Sequence, residues 1–120
     1  MKENPIADKS YNFGCRIVDA YKFLKKSEDV MSKQLYRSGT AVGALVREGV
    51  FAQSKADFIN KYSIALKEAN ETQYWLRLLH HGKFIDDKSF ESIIKDAEEV
   101  TALLVSIIKT SKENASLQQI

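Results

Sequence analysis

The sequence predicts an all-α fold, an antiparallel up-down-up-down four-helix bundle, and three observations lead there. Four segments each place apolar or small residues at alternating steps of four and three, the seam of a helix packed lengthwise on its neighbours. Short polar stretches rich in capping residues separate them, and no stretch of useful length alternates with period two. The 120 residues, 44% hydrophobic and 28% charged, suit one domain around one core.

Helix 1 is predicted over about 5–26. Asn4 reads as its N-cap and Pro5 as its first residue, where a missing amide costs nothing and φ is already helical. Ile6, Ser10, Phe13, Ile17, Ala20 and Leu24 form the seam. Gly14 costs about 1 kcal/mol against alanine, so either a neighbouring backbone comes close or the helix bends there.

Ser27, Glu28 and Asp29 supply a turn, two cap candidates and acidic charge for the next helix dipole. Helix 2, about 30–52, carries the seam Met31, Leu35, Ser38, Val42, Leu45, Gly49 and Ala52, with Gly39 and Gly43 as a second small stripe. Such residues disfavour a helix unless another helix backbone lies against it.

Helix 3 is the longest seam, Phe58, Tyr62, Ala65, Ala69, Thr72, Leu76 and Leu79, with no proline or glycine until Gly82. Ser54 caps it, Asp57 completes a variant capping box, and Gly82 suits a left-handed C′ position. Over 55–81, at about 1.5 Å per residue, it spans roughly 40 Å and requires long, nearly parallel partners. Asp86 should then cap helix 4, about 87–113, whose seam is Phe90, Ile94, Ala97, Thr101, Leu104, Ile108 and Ser111; NASLQQI is expected to be a frayed tail.

No apolar run reaches the roughly 20 residues of a membrane span and the first ten lack a signal-peptide core, so a cytoplasmic protein without membrane contact is expected. Cys15 cannot pair internally and reads as a small core or interface residue. Net charge is +2, with the basic excess, +3, in residues 1–27 and the acidic excess, −2, in 83–120.

Glu68 and Glu71 share a face of helix 3, but the residues three before His80 and His81 are Arg77 and Leu78, which breaks the Glu-x-x-His pattern of di-iron bundles. The two glutamates are expected to pair with Arg37 or Arg47 or to cap a neighbouring group, and the two histidines to face solvent. No metal, no cofactor and no catalytic residue is expected, because no phosphate-cradling loop, nucleophile elbow or histidine–acid constellation occurs. Lys2, Lys9 and Arg16 recur at sevens along helix 1, continued by Lys22, Lys25 and Lys26, while Lys33, Arg37 and Arg47 share a sector of helix 2. The stripes read either as a phosphate-binding surface or as a solvated face balanced by nearby acids. Ile59, Leu66, Tyr74, Trp75 and Leu78 on helix 3, with Val46, Val50 and Phe51 on helix 2, exceed what one seam can bury, so self-association is expected.

The segments RSGTAVGALVREG at 37–49 and QSKADFINKYSIALKEANETQYWLRLL at 53–79 resemble the four-helix-bundle family encoded in intervening sequences of bacterial 23S ribosomal RNA genes, itself similar to the accessory variability proteins of diversity-generating retroelements. The resemblance covers nearly the whole chain. Where that family often reads Ser-Gly-Thr-Ser-Ile-Gly-Ala-Asn, this chain has Ala41, Val42 and Leu45. The resemblance implies a homopentameric, barrel-like ring, and through the retroelement kinship a reverse transcriptase and its RNA as partners. Two functional readings follow. In the first, a non-enzymatic RNA- or nucleoprotein-binding accessory module shows Arg16, Lys22, Lys26, Lys33 and Arg37 to RNA or DNA backbone. In the second, a purely structural or protein-interaction assembly uses Phe51, Leu66, Tyr74, Trp75 and Leu78 against further copies of itself or one protein client.

Overall fold

The computed structural model describes residues 4–118, with side chains to 115, and those residues hold four helices and no strand. They are α1 (Pro5–Leu24), α2 (Val30–Val50), α3 (Lys55–His81) and α4 (Asp87–Gln118). Each helix packs on the next in sequence, and α1 closes on α4 through the least extensive contact of the four. The pairings are antiparallel: Gly39 faces Ile17 and Gly43 faces Ser10 across α1–α2. Ser38 meets Thr72 across α2–α3, and Gln73 meets Thr101 across α3–α4. The result is the expected up-down-up-down bundle, 54 Å along its axis and 25 by 22 Å across.

Capping follows the sequence closely. Asn4 Oδ1 accepts from the Ala7 amide at 3.3 Å, Ser54 Oγ from Asp57 at 3.0 Å and Asp86 Oδ1 from Ser89 at 2.7 Å. At α2 the capping acceptor is neither Ser27 nor Asp29. The Glu28 carboxylate takes the Met31 and Ser32 amides at 2.6 and 3.3 Å, putting a full negative charge on the positive end of the helix. Asp57 Oδ2 reaches back to the Gln53 amide rather than to that of Ser54.

Four boundaries differ from expectation. Helices α1 and α2 each stop two residues early, α1 where the Ser27 and Glu28 amides both turn back to the Leu24 carbonyl. Gly82 keeps right-handed helical geometry, and Lys83 takes the left-handed position with φ 65°. The Phe84 amide bonds the Leu79 carbonyl at 3.0 Å, so the 83–84 peptide makes the reversal one residue later than a glycine C′ would. Helix α4 runs on to Gln118, because nothing in KTSKENASLQ forbids a helix and α3 is long enough to lie beside much of it.

The core follows the seams. Every seam residue of α3 from Tyr62 to Leu79 is buried, as are Ile6, Phe13, Ile17 and Leu24 of α1 and Leu35 and Val42 of α2. Alpha-2 and α4 also bury a second row, Ser32, Gly39 and Val46 on one and Ile93 and Val100 on the other, since a helix touching two neighbours buries more than one stripe. Glycines make the close approaches. A Cβ on Gly39 would sit 2.7 Å from Ile17 Cγ1, one on Gly43 3.1 Å from the Ser10 carbonyl oxygen, and one on Gly49 would run into the Tyr62 ring. Gly14 does not mark a close approach: α1 runs through it without a break, and a Cβ there would find nothing within 4 Å.

Candidate functional site

The structure divides the predicted basic residues into two groups. Arg16 reaches from α1 to α4, where its guanidinium donates to Asp96 Oδ2 at 2.6 Å, to the Ser92 carbonyl at 3.3 Å and to Ser92 Oγ at 3.1 Å. Lys9 pairs with Glu99 at 3.5 Å one step along the same seam. Lys2 lies outside the described residues. Arg37 crosses from α2 to α3, donating to Glu68 at 3.2 Å, to Glu71 and, through Nε, to Gln34 at 3.1 Å. This is one of the expected partners for the two glutamates. Lys33 pairs with Asp29 at 3.0 Å one turn before it, and that hydrogen bond raises the lysine's pKa. Three of the five predicted phosphate ligands are therefore committed inside the chain.

The other two, Lys22 and Lys26, are exposed, and with Lys25 they have no ion-pair partner among the described residues. They sit where α1 ends and turns into α2. Of the acids nearest in sequence, Glu28 caps α2 and Asp29 holds Lys33, while Asp19 one turn upstream, like Glu91 near the start of α4, forms no ion pair among the described residues. The Lys25 ammonium stands 5.9 Å over the Tyr21 ring, which stacks on Tyr36 of α2 at 4.5 Å. This end of the bundle thus gathers free positive charge and aromatic surface.

The apolar surplus is distributed differently from expectation. Val46 is fully buried, and Leu66 and Trp75 are half-buried against the core, as Leu78 is half-buried on the flank of α3. The Trp75 indole N–H donates to Glu71 Oε2 at 2.8 Å, joining it to the Arg37 network. Phe51 and Tyr74 are exposed, 73% and 56%, with the Arg47 guanidinium 5.8 Å over the Phe51 ring and the Trp75 ring edge-on to Tyr74 at 5.1 Å. Alpha-1 adds two exposed aromatics that seam counting passed over, Tyr11 and Phe23. Each lies one residue from a seam position, Ser10 and Leu24, and that offset was the signal available. Cys15 is exposed on the same helix, so it is not a core residue; its thiol, one turn from Tyr11, raises the phenol pKa.

A groove of about 230 Å³ separates α1 from α4, floored by Phe13 and Val100 and crossed by the Lys9–Glu99 and Arg16–Asp96 pairs. Its charges balance, so it offers no net attraction to an anion. His80 corrects one expectation: its ring stacks on Phe90 at 4.0 Å and shares a 2.7 Å hydrogen bond with Asp87, fastening the α3–α4 turn. His81 is exposed. Among the described residues no three His, Cys, Asp or Glu side chains are placed to hold a metal ion, and no helix is long and apolar enough to cross a membrane.

The sequence pattern of the 23S rRNA-intervening sequence protein family matches residues 2–106. The chain belongs to that family. A crystal structure at 1.70 Å of a protein of unknown function from the S23 ribosomal protein family of Bacteroides thetaiotaomicron has the same fold, with 57% identity and a TM-score of 0.85, covering 87% of this chain and 98% of that one. No curated protein matches the chain. The family match ends inside α4, twelve residues before Gln118, so the four-helix arrangement is the family's and the last turns of α4 lie beyond it.

Proposed function

We propose that this intervening-sequence family member is a non-enzymatic subunit that assembles with copies of itself and offers the α1–α2 end of its bundle to nucleic-acid phosphates. The observation supporting it is the group of three lysines at 22, 25 and 26 left without carboxylate partners, while Arg16, Lys33 and Arg37 are tied to their own chain. Phosphate contacts of this kind carry no sequence information, so binding is to backbone and is strongly salt-dependent. Labelled RNA and DNA titrated at several salt concentrations test it. Lys22→Ala with Lys26→Ala should weaken binding to unrelated sequences alike and flatten the log–log salt slope by about 0.7–0.9 per lysine removed. No binding at low salt would reject the nucleic-acid part.

The exposed Tyr11, Phe51 and Tyr74 favour the assembly part, and would by themselves support a protein-interaction role without nucleic acid. Light scattering should return a multiple of the 13.6 kDa chain mass, and a monomer at micromolar concentration would refute assembly. Five subunits enter this proposal only through the family resemblance, and a reverse transcriptase as client only through the retroelement kinship. Co-purification with a reverse transcriptase encoded nearby is the measurement for the client.

A further inference from the structure

We propose that the nucleic acid taken at the α1–α2 end is single-stranded, with Lys22, Lys25 and Lys26 on phosphates and the Phe23 ring stacked on a base. This deepens the nucleic-acid reading above and rests on it. Phe23 lies on the last turn of α1, 73% exposed, between Lys22 and, one turn on, Lys26. It cannot turn inward, because Leu24 beside it fills the core position and is 1% exposed.

What separates Phe23 from Tyr36, Phe51 and Tyr74 is an unoccupied π-face. Tyr36 stacks on Tyr21, Phe51 lies under the Arg47 guanidinium and Tyr74 is met by the Trp75 edge. Tyr11 has no ring partner among the described residues either, but it sits far up α1 beside Asp8 and Ala7, away from Lys22, Lys25 and Lys26. The Phe23 ring has neither an aromatic nor a cationic partner among the described residues. A free ring flanked by unpaired ammonium groups matches a strand whose bases are unstacked and whose phosphates run alongside. A duplex hides its base faces and could use only the lysines. A second copy of the chain would cover the ring equally well, but it would have to bring carboxylates for three lysines; a polyanion supplies them along its whole length.

The test compares wild type with Phe23→Ala, Phe23→Trp and the Lys22→Ala/Lys26→Ala pair, by anisotropy with a labelled oligouridylate and with an RNA duplex. Circular dichroism should show all three variants folded, since the altered side chains are exposed. Phe23→Ala should weaken the single strand by about 5- to 150-fold, the range for loss of one base–aromatic stack, and leave the duplex unchanged. Phe23→Trp should bind the single strand as well as wild type or better. If the lysine pair weakens both nucleic acids while Phe23→Ala weakens neither, or both equally, the stack is refuted and phosphate binding survives. If wild type binds neither, both readings fall. If Phe23→Ala lowers the mass seen by light scattering, the ring belongs to contact between copies and the proposal is overturned.

Discussion

Two glycines one helix apart should respond to alanine with opposite sign. Gly39 faces α1 so closely that a new Cβ would lie 2.7, 2.9 and 3.0 Å from three carbons of Ile17. Ile17 is fully buried and has nowhere to retreat. Overpacking of this kind costs about 1–3 kcal/mol, and the better helix propensity of alanine returns about 1, so Gly39→Ala should lose about 1 kcal/mol net. At Gly14 a Cβ meets nothing within 4 Å, only the propensity term remains, and Gly14→Ala should gain about 0.5–1 kcal/mol. The two variants then differ by about 2 kcal/mol, roughly 8 °C in Tm for a chain of this length. Urea unfolding followed by circular dichroism, at one protein concentration because assembly would make stability concentration-dependent, measures both. Equal m-values with midpoints on opposite sides of wild type are expected. A Gly39→Ala protein as stable as Gly14→Ala would show that the α1–α2 seam is looser than described; a loss at Gly14 would show another molecule seated over that stretch of α1.

Arg37→Ala should cost about 1 kcal/mol, since it strands Glu68, whose side chain is 17% exposed, although Arg37 itself is half exposed; chemical denaturation at low and high salt should show the difference from wild type shrinking as salt rises. Trp75→Phe keeps most of the packing but removes the donor to Glu71, so a loss of about 1 kcal/mol without a change in mass is expected; a fall in mass with unchanged monomer stability would instead place Trp75 at a subunit contact. Asp86 has its carboxyl pKa lowered, chiefly by the Ser89 amide and then by the Ser89 side chain. Its stabilising effect is therefore present above the ordinary aspartate range and is lost as pH falls through the lowered value, so the gap in Tm between wild type and Asp86→Ala should narrow on acidification and stay constant above pH about 5.

The bundle was legible because the seams are so regular. Phe13, Ile17, Val42, Leu76 and Leu104 can each be found by counting fours and threes, and the caps at Asn4, Ser54 and Asp86 announce themselves by residue type. Counting finds a stripe, however, and not the width of what two neighbouring helices cover, which is why Val46 falls off the counted seam and is nonetheless buried. The basic surface was less legible for a related reason. Whether a lysine or arginine is free depends on acids far away in sequence: Arg16 is answered by Asp96, eighty residues on, and Arg37 by Glu68 and Glu71. Near Lys25 and Lys26 the acids Glu28 and Asp29 are claimed locally, by the α2 amides and by Lys33, and Asp19, one turn from Lys22, forms no ion pair with it. No periodicity encodes that allocation.

The light contact between α1 and α4 bears on how the chain folds. Every other helix pairing joins sequence neighbours through a short turn, so three hairpins can form with little loop-closure entropy, and only the Arg16–Asp96 and Lys9–Glu99 seam joins the two ends of the chain. A seam made last belongs to the native side of the barrier. Loosening it should speed unfolding and leave the folding rate nearly untouched, so the lifetime of the closed bundle is set at the α1–α4 edge even though most of its stability lies elsewhere.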